Sequence, residues 1–261
     1  MARAAVNVRD LAPLSGARSM EIADAQARAL LELLRSLERG DWERVTVCDP
    51  WTVKDIASHV LAWAEATVSP REQIHQFVTS LSERKRFGGV FLHAQNDVQV
   101  RERAALEPEE VLARLEATFP RFNRARRVLR YPMKLVPYRD SFSGEWITLG
   151  VIAETTFTRD HFMHRLDVSH AVGREPSAIP SDATVVADVV REWGGRTGAD
   201  VRLELAGSAG GAYVCGSGAS GLVRSDAFDL MRKLAGRPAE TLEVEGDAER
   251  IEGWLATPAT F

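Results

Sequence analysis

Nine residues, "RDHFMHRLD" at 159–167, combine two histidines, two aspartates and two arginines in one short stretch. If this stretch is helical, Asp160, His164 and Asp167 lie on one face, because they are spaced by four and then three residues. Phe157 and Ala171 extend the same face with apolar side chains, which predicts that it is directed toward a core. An aspartate and a histidine one helical turn apart can hold a divalent metal between a carboxylate oxygen and an imidazole nitrogen.

A third metal ligand has to come from another helix, and His59 in "DIASHVLAWAE" is the candidate. It follows Ile56 and precedes Val60, so it lies at the edge of an apolar stripe. A histidine in that position needs a polar partner, because burying an unpaired polar group costs free energy. His161 is rotated by about 100° from Asp160 around its helix and is expected to face a different side.

The spacing leaves alternatives open for these residues. A histidine on an apolar helix face is more often a hydrogen-bonded core residue than a metal ligand. The alternative to a metal site is therefore a buried network of histidines and aspartates that crosses the protein. Asp167 also has two interpretations. It pairs with Arg165 or Arg174, or it accepts a hydrogen bond from an imidazole that binds the metal.

Four helical regions with apolar stripes are predicted to position these residues, which indicates a four-helix bundle. They are expected at 20–40, 51–68, 94–129 and 147–172. Thr52 is the candidate N-cap of the second helix. We expect the third region to break at Pro108 and to kink at Pro120. The stretch 131–146, which is rich in proline and aromatic residues without a period, is interpreted as a long loop.

The C-terminal part of the chain has a different pattern, with short strands between glycine-rich turns and three helices. It predicts a small α+β domain. The fold class is therefore mainly α plus α+β. We expect a flexible N-terminal tail at 1–16 that contributes little to the core, a helical bundle at 17–175 and the α+β domain at 176–261.

Composition narrows the possible functions and partners. The chain of 261 residues carries 37 acidic and 33 basic side chains, a net charge of −4, which does not favour nucleic acid as a partner. No apolar run is long enough to span a bilayer, so no membrane partner is expected. Cys48 and Cys215 cannot make a framework of disulfides. The sequence is typical of a cytoplasmic protein that works as a monomer or homodimer.

Two segments resemble mycothiol-dependent maleylpyruvate isomerase-like proteins, a family of DinB-like metal-binding four-helix bundles. They are "VTVCDPWTVKDIASHVLAWAE", with its Trp-Thr-Val-x-Asp-Ile-x-x-His pattern, and "TRDHFMHRLDVSHAVGR". The stretch "HAQNDVQVRERAALEPEEVLARLE" is similar to the family's third helix. "LELAGSAGGAYV", "DAFDLMRKLAGR" and "LEVEGD" resemble the small sterol-carrier-like domain that is often fused to the bundle. The resemblance extends over residues 17–258.

The resemblance implies a metal site and a thiol cosubstrate. The family's ligand positions correspond to His59, Asp160 and His164, with zinc as the expected metal and nickel as the alternative. Asp160 stands where the family has glutamate, so it reaches one methylene less. The thiol is mycothiol, a low-molecular-weight thiol of actinobacteria. The family's arginine at the end of "LAGR" corresponds to Arg237, as a catalytic residue that binds an anionic substrate or stabilises developing negative charge. Its alternative is a charge at a helix C-terminus that faces water.

The family resemblance favours a thiol S-transferase or isomerase that acts on a small electrophilic metabolite, in natural-product biosynthesis or aromatic catabolism. Two other functions stay open at this stage. One is a metalloenzyme that uses its metal as a Lewis acid or water activator without a thiol. The other is a binding protein with a structural metal and a cleft for an apolar ligand, consistent with the aromatic stretch 131–146.

Overall fold

The computed structural model describes residues 4–139 and 144–261, which divide into two compact units. The first unit is residues 19–176 and is mainly helical. The second unit combines the N-terminal residues up to Arg18 with residues 177–261. The first unit is therefore inserted in sequence between the two parts of the second. The observed division after Pro176 lies one residue beyond the expected boundary.

The helical unit is a bundle whose core is shared by four long helices, as the apolar stripes predict. Its helices are α1 (Gly16–Arg35, which begins just before the division), α2 (Val53–Val68), α3 (Pro70–Glu83), α4 (Phe91–Arg101), α5 (Pro108–Met133), α6 (Leu149–Val151) and α7 (Phe157–Ala171). The shared apolar core is contributed by α1, α2, α5 and α7. Nowhere in the described ranges is a helix both long and apolar enough to cross a membrane.

The start of α2 is fixed by a capping box, as the sequence indicates for Thr52. The Thr52 hydroxyl accepts a hydrogen bond from the Asp55 backbone N–H, and the Asp55 carboxylate accepts one from the Thr52 N–H at 2.9 Å. These two bonds satisfy N–H groups that a helix start otherwise leaves unpaired. The cap fixes the residue at which α2 begins, and His59 lies in the second turn of this helix.

The helix boundaries differ from the predicted ones in several places. α3 was not predicted. The expected third region breaks before Pro108, as predicted, and forms the two helices α4 and α5. Pro108 occupies the first turn of α5, where proline is tolerated, and Pro120 lies inside this helix. The first helix ends at Arg35, not at Gly40.

A ribbon replaces part of the expected loop at 131–146. α5 extends to Met133, and the antiparallel strands β2 (Pro137–Arg139) and β3 (Trp146–Thr148) follow. Residues 140–143, also within the expected loop, lie outside the described residues. The predicted fourth helix starts later than expected, because its first residues belong to β3.

A π-helical turn at Ile152–Thr156 connects α6 to α7. Such a turn interrupts the regular hydrogen bonding of an α-helix. Arg126 of α5 stabilises it, because its Nε donates to the Ala153 carbonyl and its Nη2 donates to the Thr158 hydroxyl, both at 2.8 Å. Burial lowers the pKa of Arg126 to about 9, so it still carries its charge at neutral pH. α5 thereby anchors the start of the helix that carries the acidic and histidine cluster.

The second unit is α+β, as predicted. Its strands are β1 (Val6–Asn7), β4 (Arg202–Ala206), β5 (Ala212–Val214), β6 (Gly221–Asp226) and β7 (Glu243–Gly246). They form a sheet in the order β1-β5-β4-β6-β7, with β1–β5 and β4–β6 parallel and the other pairs antiparallel. Its helices are α8 (Asp182–Thr197), α9 (Ala227–Leu234) and α10 (Ala248–Leu255). Its core is apolar and includes Trp193 and Leu203, both fully buried.

The N-terminal segment is not the flexible tail that the sequence suggested, within residues 4–16. Val6 and Asn7 pair with β5 as an edge strand. Val8 and Leu14 are 3% and 4% exposed, and the Leu14 N–H donates to the buried Asp188 carboxylate at 2.8 Å. The prediction was wrong because so short a strand has no detectable period, and its burial depends on residues far along the chain.

Docking of this segment predicts that Leu14→Ala lowers the free energy of unfolding of the second unit by about 2–4 kcal/mol, because it leaves a cavity in a core. Chemical denaturation followed by circular dichroism measures the change. Leu135→Ala is the matched control, because Leu135 is 84% exposed and its truncation should have little effect. Equal stability of the Leu14→Ala variant and the wild type would restore the flexible-tail interpretation.

Candidate metal centre

Three side chains on two helices converge inside the helical unit. Asp160 and His164 lie one turn apart on α7, and His59 lies on α2. Asp160 Oδ1 is 3.3 Å from His164 Nε2 and 3.8 Å from His59 Nε2. His59 and His164 are buried, whereas the Asp160 side chain keeps 21% of its surface exposed. These are the three residues that the sequence singled out.

The separations match the edges of a metal coordination polyhedron. Zinc binds histidine nitrogen and carboxylate oxygen at about 2.0–2.2 Å, so two tetrahedral ligands lie about 3.3–3.6 Å apart. The ligand atoms of His59, Asp160 and His164 all lie within 4.8 Å of one another. A divalent ion fits among them after small side-chain movements, and the shorter Asp160 still reaches the two imidazoles.

Both imidazoles use their second nitrogen to bind an acceptor, as metal-binding histidines do. His164 Nδ1 is 3.3 Å from Asp167 Oδ2, and His59 Nδ1 is 2.9 Å from Gln99 Oε1. These contacts leave the two Nε2 atoms directed at Asp160. The contact of Asp167 is the one expected of a residue that supports a ligand. Gln99 was missed in the sequence, where a glutamine on α4 gives no signal of its own.

Opposite charges dominate the electrostatics of the cluster. Burial alone would raise the pKa of Asp160, but the imidazoles of His164 and His59 outweigh it and hold that pKa well below its usual value. Burial opposes protonation of His164, but the carboxylates of Asp160 and Asp167 hold its pKa well above the usual value. Without a metal, Asp160 and His164 are therefore an ion pair. A metal that binds His164 Nε2 has to displace that proton.

A second group of possible ligands adjoins the first and shares His164. It consists of Cys48, His164 and Asp167. The Cys48 thiol donates to Asp167 Oδ2 at 3.4 Å, and this carboxylate also contacts His164 Nδ1. The Cys48 contact helps to orient Asp167, which in turn contacts His164 Nδ1.

His161 faces a different side of α7 from Asp160 and His164, as the helical spacing predicts. It is 2% exposed, and its ring lies 5.3 Å from the Phe119 ring and 5.9 Å from the Phe122 ring. Burial lowers the pKa of His161 to about 3, so its ring is neutral. Its Nδ1 has no hydrogen-bond partner among the described residues. His161 is therefore a core residue and does not join the cluster.

Arg237 belongs to the other unit. It follows the C-terminal end of α9, is partly buried, and donates from Nη1 to the Ala235 carbonyl at 2.9 Å. The structure therefore brings together the three predicted metal ligands in one unit, and holds the predicted catalytic arginine in the second.

Comparisons with known proteins identify the family and the fold. The family model described as the mycothiol maleylpyruvate isomerase N-terminal domain matches residues 23–169. The crystal structure of the mycothiol-dependent maleylpyruvate isomerase is similar, with a TM-score of 0.58 at 16% identity over 92% of this chain and 95% of that chain. A mutant of that enzyme gives a TM-score of 0.57 with the same identity and coverage. At this identity, the similarity shows the fold. The comparison with curated proteins gave no significant match.

The geometry predicts about one divalent metal ion per chain, zinc or nickel, measured by elemental analysis of the purified protein. His59→Ala and His164→Ala should each lose the ion, because each removes one of three ligands. His170→Ala is the matched control, an exposed histidine on the same helix that should leave the metal content unchanged. Full metal content in both ligand variants would contradict the assignment. A wild-type protein that takes up no metal would indicate the hydrogen-bonded histidine–aspartate network instead.

Proposed function

We propose that this chain, which belongs to the family of the mycothiol maleylpyruvate isomerase N-terminal domain, is a metal-dependent enzyme that uses mycothiol as a cosubstrate. Its reaction is the transfer of the thiol to a small electrophilic metabolite, or the isomerisation of that metabolite. The observation that carries the proposal is the convergence of His59 Nε2, Asp160 Oδ1 and His164 Nε2, with both Nδ1 atoms occupied by acceptors.

The chemistry follows from the ionisation of a thiol. A free thiol has a pKa of ~8.5 and is mostly protonated at neutral pH, so it is a poor nucleophile. A divalent metal held by His59, Asp160 and His164 would supply the positive charge that keeps the thiol of the cosubstrate ionised. The thiolate adds to an electrophilic carbon. Expulsion of the thiol after bond rotation gives isomerisation, and expulsion of another group gives S-transfer.

The protein's own residues orient this chemistry. The imidazoles of His59 and His164 supply lone pairs from buried positions, where water does not compete. Asp160 is the ligand with the most exposed side chain, so the cosubstrate approaches from its side. The Trp51 ring packs 5.0 Å from the His59 ring and shields that imidazole from solvent. The result is a site that is closed behind the histidines and open beside the carboxylate.

Arg237 is proposed to bind the anionic part of the substrate or the charge that develops in the reaction. The support is the resemblance of "LAGR" to the family's arginine position and the permanent charge of a guanidinium, which recognises carboxylates well. Its contact with the Ala235 carbonyl uses Nη1, at the end of α9.

The use of a thiol predicts a spectroscopic signal. When Co²⁺ replaces the native metal, addition of mycothiol should produce a near-ultraviolet thiolate-to-metal charge-transfer band. The His59→Ala variant should lack the band, and His170→Ala should retain it. Turnover of an electrophile at equal rates with and without mycothiol would instead indicate a metal that acts as a Lewis acid on the substrate. Retained metal with neither a band nor turnover would indicate a binding protein with a structural metal.

The role of Arg237 predicts a loss of activity without a loss of metal. Removing one charge-assisted contact to a developing anion costs about 2.7–4 kcal/mol, so Arg237→Ala should turn over an anionic electrophile about 100- to 1000-fold more slowly. Steady-state kinetics and elemental analysis measure the two quantities. Arg202→Ala, which alters an exposed arginine of the same unit, is the control. Undiminished activity of Arg237→Ala on an anionic substrate would remove this residue from the mechanism.

A further inference from the structure

We propose that Gln99 and Gln76 are positioning residues, whose two side-chain amides hold His59 in the tautomer that carries its proton on Nδ1 and leaves the Nε2 lone pair for the metal. The proposal rests on the metal-binding role of His59 proposed above. It concerns α3 and α4, which carry these glutamines.

The orientation of the first amide is fixed by two acceptors. Gln76 Nε2 lies 3.1 Å from the Ala62 carbonyl oxygen and 2.8 Å from Glu72 Oε1. A carbonyl can only accept, and so can an ionised carboxylate. Arg103 keeps Glu72 in that state by donating to the same Oε1 at 2.9 Å. The Gln76 amide therefore directs its NH₂ group toward these atoms, because the flipped amide would place oxygen against oxygen.

The second amide transmits this orientation to His59. With its NH₂ group engaged, Gln76 presents Oε1 as an acceptor, and Gln99 Nε2 donates to it at 2.9 Å. Gln99 must then present its own oxygen on the other side. That oxygen lies 2.9 Å from His59 Nδ1, so Nδ1 is the donor and carries the proton. In a neutral imidazole the other nitrogen is then unprotonated.

Burial is what makes the relay specific. Gln76 and Gln99 are both fully buried, so no solvent replaces a bond that a flipped amide would lose. An unsatisfied buried polar group is costly, and two facing carbonyl oxygens are worse still. Each amide therefore has one favourable orientation. The contact between Glu72 and Gln76 thereby determines which nitrogen of His59 is protonated, although Glu72 does not contact His59.

The tautomer matters because the competing one would block the metal. With its proton on Nε2, His59 would turn an N–H toward the Asp160 carboxylate, whose Oδ1 is 3.8 Å away, and would offer no lone pair at the site. Loss of a residue that orients a metal-binding histidine typically weakens metal affinity by about 10- to 100-fold. Gln99 contacts His59 directly and Gln76 acts through Gln99, so the effect should be larger for Gln99.

The test is made first on the metal-free protein. Two-bond nitrogen–proton correlation spectra with isotopically labelled histidine, at alkaline pH, report which nitrogen of His59 is protonated, and His59→Ala assigns the signal. The wild type should show the Nδ1–H tautomer. Gln99→Leu should shift His59 toward Nε2–H, and Gln76→Leu should do so to a smaller extent. Gln99→Glu retains an acceptor for His59 and should preserve the Nδ1–H tautomer, with a lower free energy of unfolding because its carboxylate faces Gln76 Oε1.

The same variants are then titrated with Zn²⁺ against a chromophoric chelator. We expect affinity to fall about 10- to 100-fold in Gln99→Leu and to be kept within a few-fold in Gln99→Glu. Gln95→Leu, the same change at a buried glutamine one turn earlier on α4, controls for lost packing and should change neither tautomer nor affinity.

Two results would overturn the proposal. One is an Nε2–H tautomer of His59 in the wild type, and the other is a Gln99→Leu variant with unchanged tautomer or unchanged zinc affinity. If Gln99→Leu does not fold, the Gln76→Leu and Gln99→Glu spectra decide the matter. A wild type that shows the expected tautomer but binds no Zn²⁺ would refute the proposed metal enzyme and leave the amide relay standing.

Discussion

The Asp160 carboxylate is the charge around which the helical unit is organised. A carboxylate this close to the interior of a bundle is stable only if donors or cations face it, because leaving water costs several kcal/mol. Here the facing groups are two imidazoles, and each imidazole needs an acceptor for its other nitrogen. These acceptors are Gln99 and Asp167. Gln99 in turn contacts Gln76 on α3, and Asp167 contacts Cys48 in the segment before α2. One partly buried charge is thus connected to polar residues in several elements of the unit.

Helical periodicity was enough to predict that Asp160 and His164 share a face of one helix, because it fixes which side chains on one helix lie together. It could not identify Gln99, which depends on how separate helices pack. It separated His161 from Asp160 but gave no information on what the His161 ring packs against. α7 is buried on nearly all sides, so it has no polar face to which a charged-looking residue could be assigned. The ring of His161 stacks among aromatic residues, a contact that only the assembled bundle defines.

The helical bundle and the small α+β unit could both be predicted, because apolar stripes and strands bounded by glycine are patterns within short segments of sequence. α3 was missed since it exposes apolar residues such as Ile74 and Val78, which leave no clean amphipathic pattern. Pro120 is accommodated inside α5, because a proline removes one hydrogen bond and tertiary packing can offset that loss. In each case the deciding interactions connect residues that are distant in sequence.

The pairing of β1 with β5 imposes an order on folding during synthesis. Ribosomes release the chain from its N-terminus, so Val6 leaves long before its partner Tyr213 exists. The helical unit contains all of its own core residues in one continuous segment and can close while translation continues. β1 has to remain unpaired throughout that interval. Its pairing with β5 closes a very long loop, and the folding of the helical unit within that loop reduces the conformational entropy that closure costs. Nascent chains arrested before residue 212 would therefore contain a folded helical unit, while β1 still lacks the strand with which it pairs.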